Sequence, residues 1–134
     1  MPKVTINDSQ GLVQATGNGF ILGSKLILER QTVVATGNSQ GTGAAISANQ
    51  PLVVVTGADG TKGVTLPAVA GLAAGTTFLI QNYGGSTLEV YPASNDRVYP
   101  AADDAGITVA AYGFLQVTVA DATGWFGNEG VIAA

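Results

Sequence analysis

The chain contains no cysteine and no histidine. Without cysteine there is no disulfide framework and no thiolate metal site. Without histidine, the commonest general base and the commonest transition-metal ligand are both gone. Charge is scarce too. Only 10% of the 134 residues are Asp, Glu, Lys or Arg, against about 25% in an average soluble domain. The net charge is −4, and the basic residues Lys3, Lys25, Arg30, Lys62 and Arg97 are scattered. Phosphate neutralisation needs clustered cations, so no nucleic-acid partner is expected. No uninterrupted apolar run spans a bilayer. Gly63 to Leu88 is uncharged but broken by Pro67, by glycines and by Gln81-Asn82, so no membrane partner is expected either. The opening MPKVTIND has no apolar leader stretch, which predicts synthesis in a cytoplasm.

What is present is β chemistry. The hydrophobic fraction is 46%, rich in valine and alanine, and 19 glycines accompany many threonines. This is a strand-and-turn composition, poor in helix formers. Apolar residues alternate with polar ones at Val4/Ile6, Leu26/Leu28, Val64/Leu66, Leu88/Val90, Ile107/Val109 and Leu115/Val117/Val119. That period of two marks strands with one buried face. Leu52 to Val55 is a short continuous apolar run, as in a strand covered on both sides. Turn signals lie between the runs: Ala58-Asp59-Gly60-Thr61, Asp121-Ala122-Thr123-Gly124 and, strongest, Asn82-Tyr83-Gly84-Gly85-Ser86, which predicts a hairpin. PAVAGLAA (67–74) has Gly71 inside it and Gly75 after it, and reads as a loop or single turn. No internal repeat of fixed period stands out.

Composition shifts near residue 50. Residues 1–50 predict an extended N-terminal β arm or hairpin for attachment or oligomerisation, with strands near 20–28 and 31–36 and a linker-like Gly37–Gly43. Residues 51–134 predict a compact C-terminal β domain. The expected class is all-β, with a jelly-roll-like β-sandwich or small barrel.

Tests for chemistry come back empty. Ser24-Lys25 are neighbours on an expected strand, so their side chains point to opposite faces and cannot act together. Asp103-Asp104 precede Gly106 and read as a solvated turn, not as two carboxyls facing each other across a cleft. Asp96 and Asp121 also read as turn residues. No calcium-loop pattern occurs. Gly57–Gly63 and Gly37–Gly43 lack the spacing of a phosphate cradle. The sequence therefore predicts no catalytic, metal or cofactor-binding residue, and not an enzyme. Aromatic side chains with polar neighbours at a loop edge are the remaining contact candidates: Tyr91, Asn95, Asp96, Tyr99 and Asp103.

The stretch GVTLPAVAGLAAGTTFLIQNYGGSTLEVYPAS (63–94), followed by GITVAAYGFLQVTVADATGWF (106–126), resembles a β module of tailed-bacteriophage structural proteins. The shared order is a VTLP strand, an Ala/Gly loop, an I-N-x-G turn, an L-x-V-Y-P-A strand, an ITVAA-G pair and a closing T-x-W strand. The resemblance covers about the last 70 residues. Lys3 to Leu12 (KVTINDSQGL) is similar to the opening of small head-decoration proteins. The resemblance implies a capsid decoration (cement or head-fibre) protein: a homotrimer bound to the major capsid protein on the outside of the virion, stabilising the shell. It carries no catalytic residues and fixes no attachment residue. The alternative is a tail-fibre or head-fibre tip module that binds a host surface glycan.

Overall fold

The structure is a computed structural model that describes residues 4–7, 11–14 and 27–131, the first two groups and Val131 by backbone alone. The described residues are all-β, with no helix. The strands are β1 (Val4–Asn7), β2 (Gly11–Gln14), β3 (Arg30–Val34), β4 (Ala44–Ala45), β5 (Leu52–Thr56), β6 (Gly63–Thr65), β7 (Thr77–Asn82), β8 (Leu88–Tyr91), β9 (Arg97–Tyr99), β10 (Ile107–Val109), β11 (Gly113–Val119) and β12 (Gly124–Val131).

β1 and β2 form an antiparallel hairpin, with Val4 opposite Gln14. The strand expected over 20–28 falls mainly outside the described residues, and Ile27–Glu29 carry no regular structure. Ser24 and Lys25 also lie outside them.

The remaining strands form two sheets, β10-β8-β6-β4 and β3-β5-β7-β11-β12-β9. From β3 to β8, consecutive strands alternate between the sheets, and each pairs in parallel with the strand before last. Ala44, Val64 and Val90 stack in one sheet; Val33, Val55 and Asn82 stack in the other. This winding is that of a short β-solenoid. A jelly roll would pair its strands antiparallel, and a barrel would leave no edges. The antiparallel strands β10, β11 and β12 end the coil, with β9 beside β12.

The inward residues build one core. Val53 and Val55, Phe78 and Ile80, Leu115, Val117 and Val119 face Val64, Leu88, Val90 and Val109, with Trp125 closing one end. Ala35 and Ile46, from before residue 50, belong to the same cluster. The expected division at residue 50 therefore falls between two consecutive turns of one coil.

Sharp corners turn the chain from sheet to sheet. Asn82–Ser86 connects β7 to β8, which lie in different sheets, so the strongest predicted hairpin is a corner. Buried Asn82 fastens it: its side-chain amide donates to the carbonyls of Ser86 and Ala110, and its oxygen accepts from Gly84 N–H at 2.9 Å. Asp59–Lys62 is another such corner. Asp121–Thr123 is a true hairpin turn, joining β11 to β12. PAVAGLAA forms turns without a helix, with Gly71 and Gly75 at positive φ.

Gly37–Gly43 is an ordered loop. Gly37 takes φ 57°, where a Cβ would overlap Thr42, so only glycine fits. The loop crosses the outer side of the four-stranded sheet. Thr65 donates to the Gln40 carbonyl at 2.8 Å, and the Gln40 amide donates to Pro92 O and to an Asp104 carboxylate oxygen, each at 2.9 Å.

Candidate assembly surfaces

The five contact candidates do not form one exposed surface. Asp96 is buried, and its carboxylate accepts the Val69 N–H at 2.9 Å. Asn95 stands at positive φ and donates its backbone N–H to Asp104. Asp103 pairs with the Arg97 guanidinium at 2.6 Å. That guanidinium lies 5.5 Å from the centre of the Tyr99 ring, and the Tyr99 hydroxyl donates to Asp121 at 2.8 Å. Tyr91 is half-buried between Gly63 and Gly106, either of which would strike its ring with a Cβ. Burial, and then the nearby Glu89 charge, raise the Tyr91 hydroxyl above the usual tyrosine range.

Three more carboxylates are likewise engaged. Asp59 caps its own corner, accepting from Thr61 and Lys62 N–H and pairing with the Lys62 ammonium at 2.9 Å, which holds it far below the usual carboxylate range. Gln40 and then the Asn95 N–H lower Asp104. The Thr123 N–H and then the Tyr99 hydroxyl lower Asp121. Each shift is explained by local fold-holding bonds. Among the described residues no group of three or more His, Cys, Asp or Glu is placed to hold a metal, and no helix is long and apolar enough to cross a membrane.

Among the described residues, two surfaces keep their side chains free. The first is a tip where the corners meet. Tyr83 is 67% and Tyr112 60% exposed. Tyr112 N–H donates to Gly84 O, and its ring oxygen lies beside Gly85. Tyr112 sits at φ 56°, a conformation rare for a large side chain and held here by the surrounding corner. Sequence reasoning chose Tyr91 and Tyr99 for exposure instead. The signal for Tyr83 was its place inside the Asn-Tyr-Gly-Gly turn.

The second is the outer face of the six-stranded sheet. Register places Arg30, Leu52, Leu79, Gln116 and Asn128 in one row, and Thr32, Val54, Gln81, Phe114 and Gly130 in the next. A third row runs Thr77, Thr118, Phe126, Tyr99. Exposed apolar side chains include Val34 and Phe126, each at 61%, with Leu79 and Phe114 between them. The central strands β5, β7 and β11 carry no charged residue at all. Arg30 stands at one margin, and Arg97 with its Asp103 partner at the other. Shallow depressions of about 330 and 240 Å³ mark this face around Leu79 and Gln81.

No known family model matches this chain, and no curated protein matches it.

The depressions and cavities are mostly apolar and run from about 220 to about 430 Å³, the widest an open one among Val69, Leu72, Val119 and Asp121. One of about 220 Å³ opens between the sheets among Val98, Pro100, Ile107, Leu115 and Gly127, with Glu129 at its rim. It is smaller than the roughly 300 Å³ at which ligand pockets usually begin, and Glu129 is its one ionisable group apart from the Tyr99 phenol.

Proposed function

We propose that the chain is a non-catalytic structural module, a capsid decoration protein of a tailed phage. As a homotrimer on the outer surface of the shell, it contacts the major capsid protein and stabilises the assembled particle. One observation carries this reading: among the described residues, the six-stranded sheet exposes apolar side chains on an outer face whose three central strands carry no charge. Exposed apolar area of this kind is what subunit association buries. The compact coil behind the face gives it a stiff backing. The phage setting and the trimer come from the resemblance.

A ligand that binds only the assembled shell raises the stability of that shell, by about 2.7 kcal/mol per site at a concentration 100 times its Kd. The test is to add purified protein to shells that lack it, then follow shell rupture on heating and image the particles. The expected result is saturable density on the head lattice and a higher rupture temperature. No binding to the head, or density confined to the tail, overturns the proposal.

A second reading, a fibre-tip module for a host glycan, draws on Tyr83 and Tyr112, two exposed rings on a glycine-rich tip. Tyrosine offers a flat apolar face and a polar edge at small entropic cost. A glycan array separates the readings: a hit lost on Tyr112→Ala favours the tip module, and an empty array favours the decoration protein.

A further inference from the structure

We propose that the outer face of the six-stranded sheet is the contact between copies of this chain. The inference rests on the reading of the chain as a self-assembling module and names the surface that does it. The two sheets differ in how their outer sides are finished. On the four-stranded sheet the loop Gly37–Gly43 lies across β6 and β8, and Glu89 stands outward in the strand. Among the described residues the six-stranded sheet has no such cover over Leu79, Phe114 and Phe126.

Charge selects the occupant. Copies of one chain carry the same net charge, so surfaces bearing that charge repel when copies meet. This chain carries a net −4, which opposes self-association through most of its surface. The six-stranded face escapes that penalty, because its three central strands are free of charge. A basic or acidic partner would find nothing to pair with on those strands. A second copy finds the same mixture of Leu, Val and Phe with Thr, Gln and Asn.

The size is also adequate. Six strands about 4.8 Å apart, each about five residues long at about 3.3 Å per residue, project to roughly 500 Å². Side-chain relief raises the accessible area toward the roughly 800 Å² per partner of a standard interface. Gln81, Gln116 and Asn128 supply hydrogen bonds across the contact, and Phe114 and Phe126 supply its anchors.

The absence of native cysteine makes the test clean, because any introduced thiol is unique. Gln116→Cys places one at the centre of the face, and Ala45→Cys places one on exposed β4 of the other sheet as a control. Short bismaleimide cross-linkers should join copies of Gln116→Cys and leave Ala45→Cys unjoined. In parallel, Leu79→Glu, checked for folding by circular dichroism, should weaken association in sedimentation by a factor on the order of 100, since like charges juxtaposed in a contact cost several kcal/mol. If the wild-type chain associates but Gln116→Cys does not cross-link and folded Leu79→Glu associates normally, the face assignment falls and the assembly reading stands. A wild-type chain that stays monomeric at every concentration overturns the assignment and the trimer together. Shell binding by such a monomer would leave decoration itself intact. The cross-link keeps the proposal decidable even if Leu79→Glu fails to fold.

Discussion

The edge of the Trp125 indole meets the Phe78 ring at 79°, with the ring centres 5.8 Å apart and both side chains fully buried. The pair couples β12 to β7 over the inner face of β11, which lies between them in the sheet. Trp125→Ala should cost about 3–5 kcal/mol in chemical denaturation. The indole Nε1 is buried without a hydrogen-bond partner, and such a donor costs about 1–3 kcal/mol. Trp125→Phe removes that cost while keeping most of the volume. It should therefore be much milder than Trp125→Ala, and a loss as large as the alanine's would contradict this account of the site.

Asn82 should behave as a structural hub. Its amide satisfies the carbonyls of two neighbouring corners, and its oxygen holds Gly84 N–H. Asn82→Ala leaves these groups buried and unmet and should cost roughly 3 kcal/mol. Asn82→Asp keeps the acceptor but turns a carboxylate toward carbonyl oxygens, so it should be at least as damaging. Thermal melts of the two variants compare them directly.

Gly63 tolerates no side chain. A Cβ there would lie 2.6 Å from the Glu89 carbonyl oxygen and 2.7 Å from the Tyr91 ring, and its N–H already bonds Thr36 O and Gly37 O. The backbone oxygen cannot swing aside as a flexible side chain would. Gly63→Ala should destabilise by about 1–3 kcal/mol. Gly41, with open space around its Cβ position, is the matched control. Equal melting temperatures for the two alanine variants would refute the packing argument.

Acid should weaken the fold through a definable set of carboxylates. Asp59, Asp104 and Asp121 are all held below the usual range by hydrogen bonds, and Asp59 also by Lys62. A carboxylate lowered on folding adds stability above its unfolded pKa, and that stability disappears as pH falls toward the folded value. Stability should thus be flat near neutrality and decline below about pH 4. Asp104→Asn should flatten part of that decline in denaturant midpoints measured against pH. A rise in stability on acidification would reverse the expected sign.

Much of the fold was legible as strands and little as topology. The alternation at Leu88/Val90 and at Leu115/Val117/Val119 reports correctly which side chains are buried, because side-chain period depends on local backbone alone. The turn at Asn82–Ser86 reports that the chain reverses, but not toward which sheet. Where it goes depends on Asn82 reaching Ala110, a contact 28 residues away. The coil left no visible repeat because its turns differ in length: Val64 stacks on Ala44 and Val90 on Val64, with different loops between. Gly37–Gly43 looked like a linker because glycine and serine are common to flexible segments and to tight ordered ones. Its anchor, Gln40, binds residues far along the chain. Among the site candidates, Asp96 looked like a surface acid because nothing local reveals that Val69 N–H needs a buried acceptor. The neutral sheet face was foreshadowed by the scarcity of charge, but its place on one side of one sheet emerges only from register.

The coil also sets how the molecule would yield under load. Force entering near Ile27 reaches β3, which joins the described sheet through β5 alone. Beneath it each parallel turn rests on the next, so the stack can peel one turn at a time from that side. Force entering at the other end reaches β12, gripped between β11 and β9, where several rows of bonds must break together. The molecule should therefore be mechanically polar, giving gradually at β3 and resisting at β12, which single-molecule pulling on each of the two strands would check.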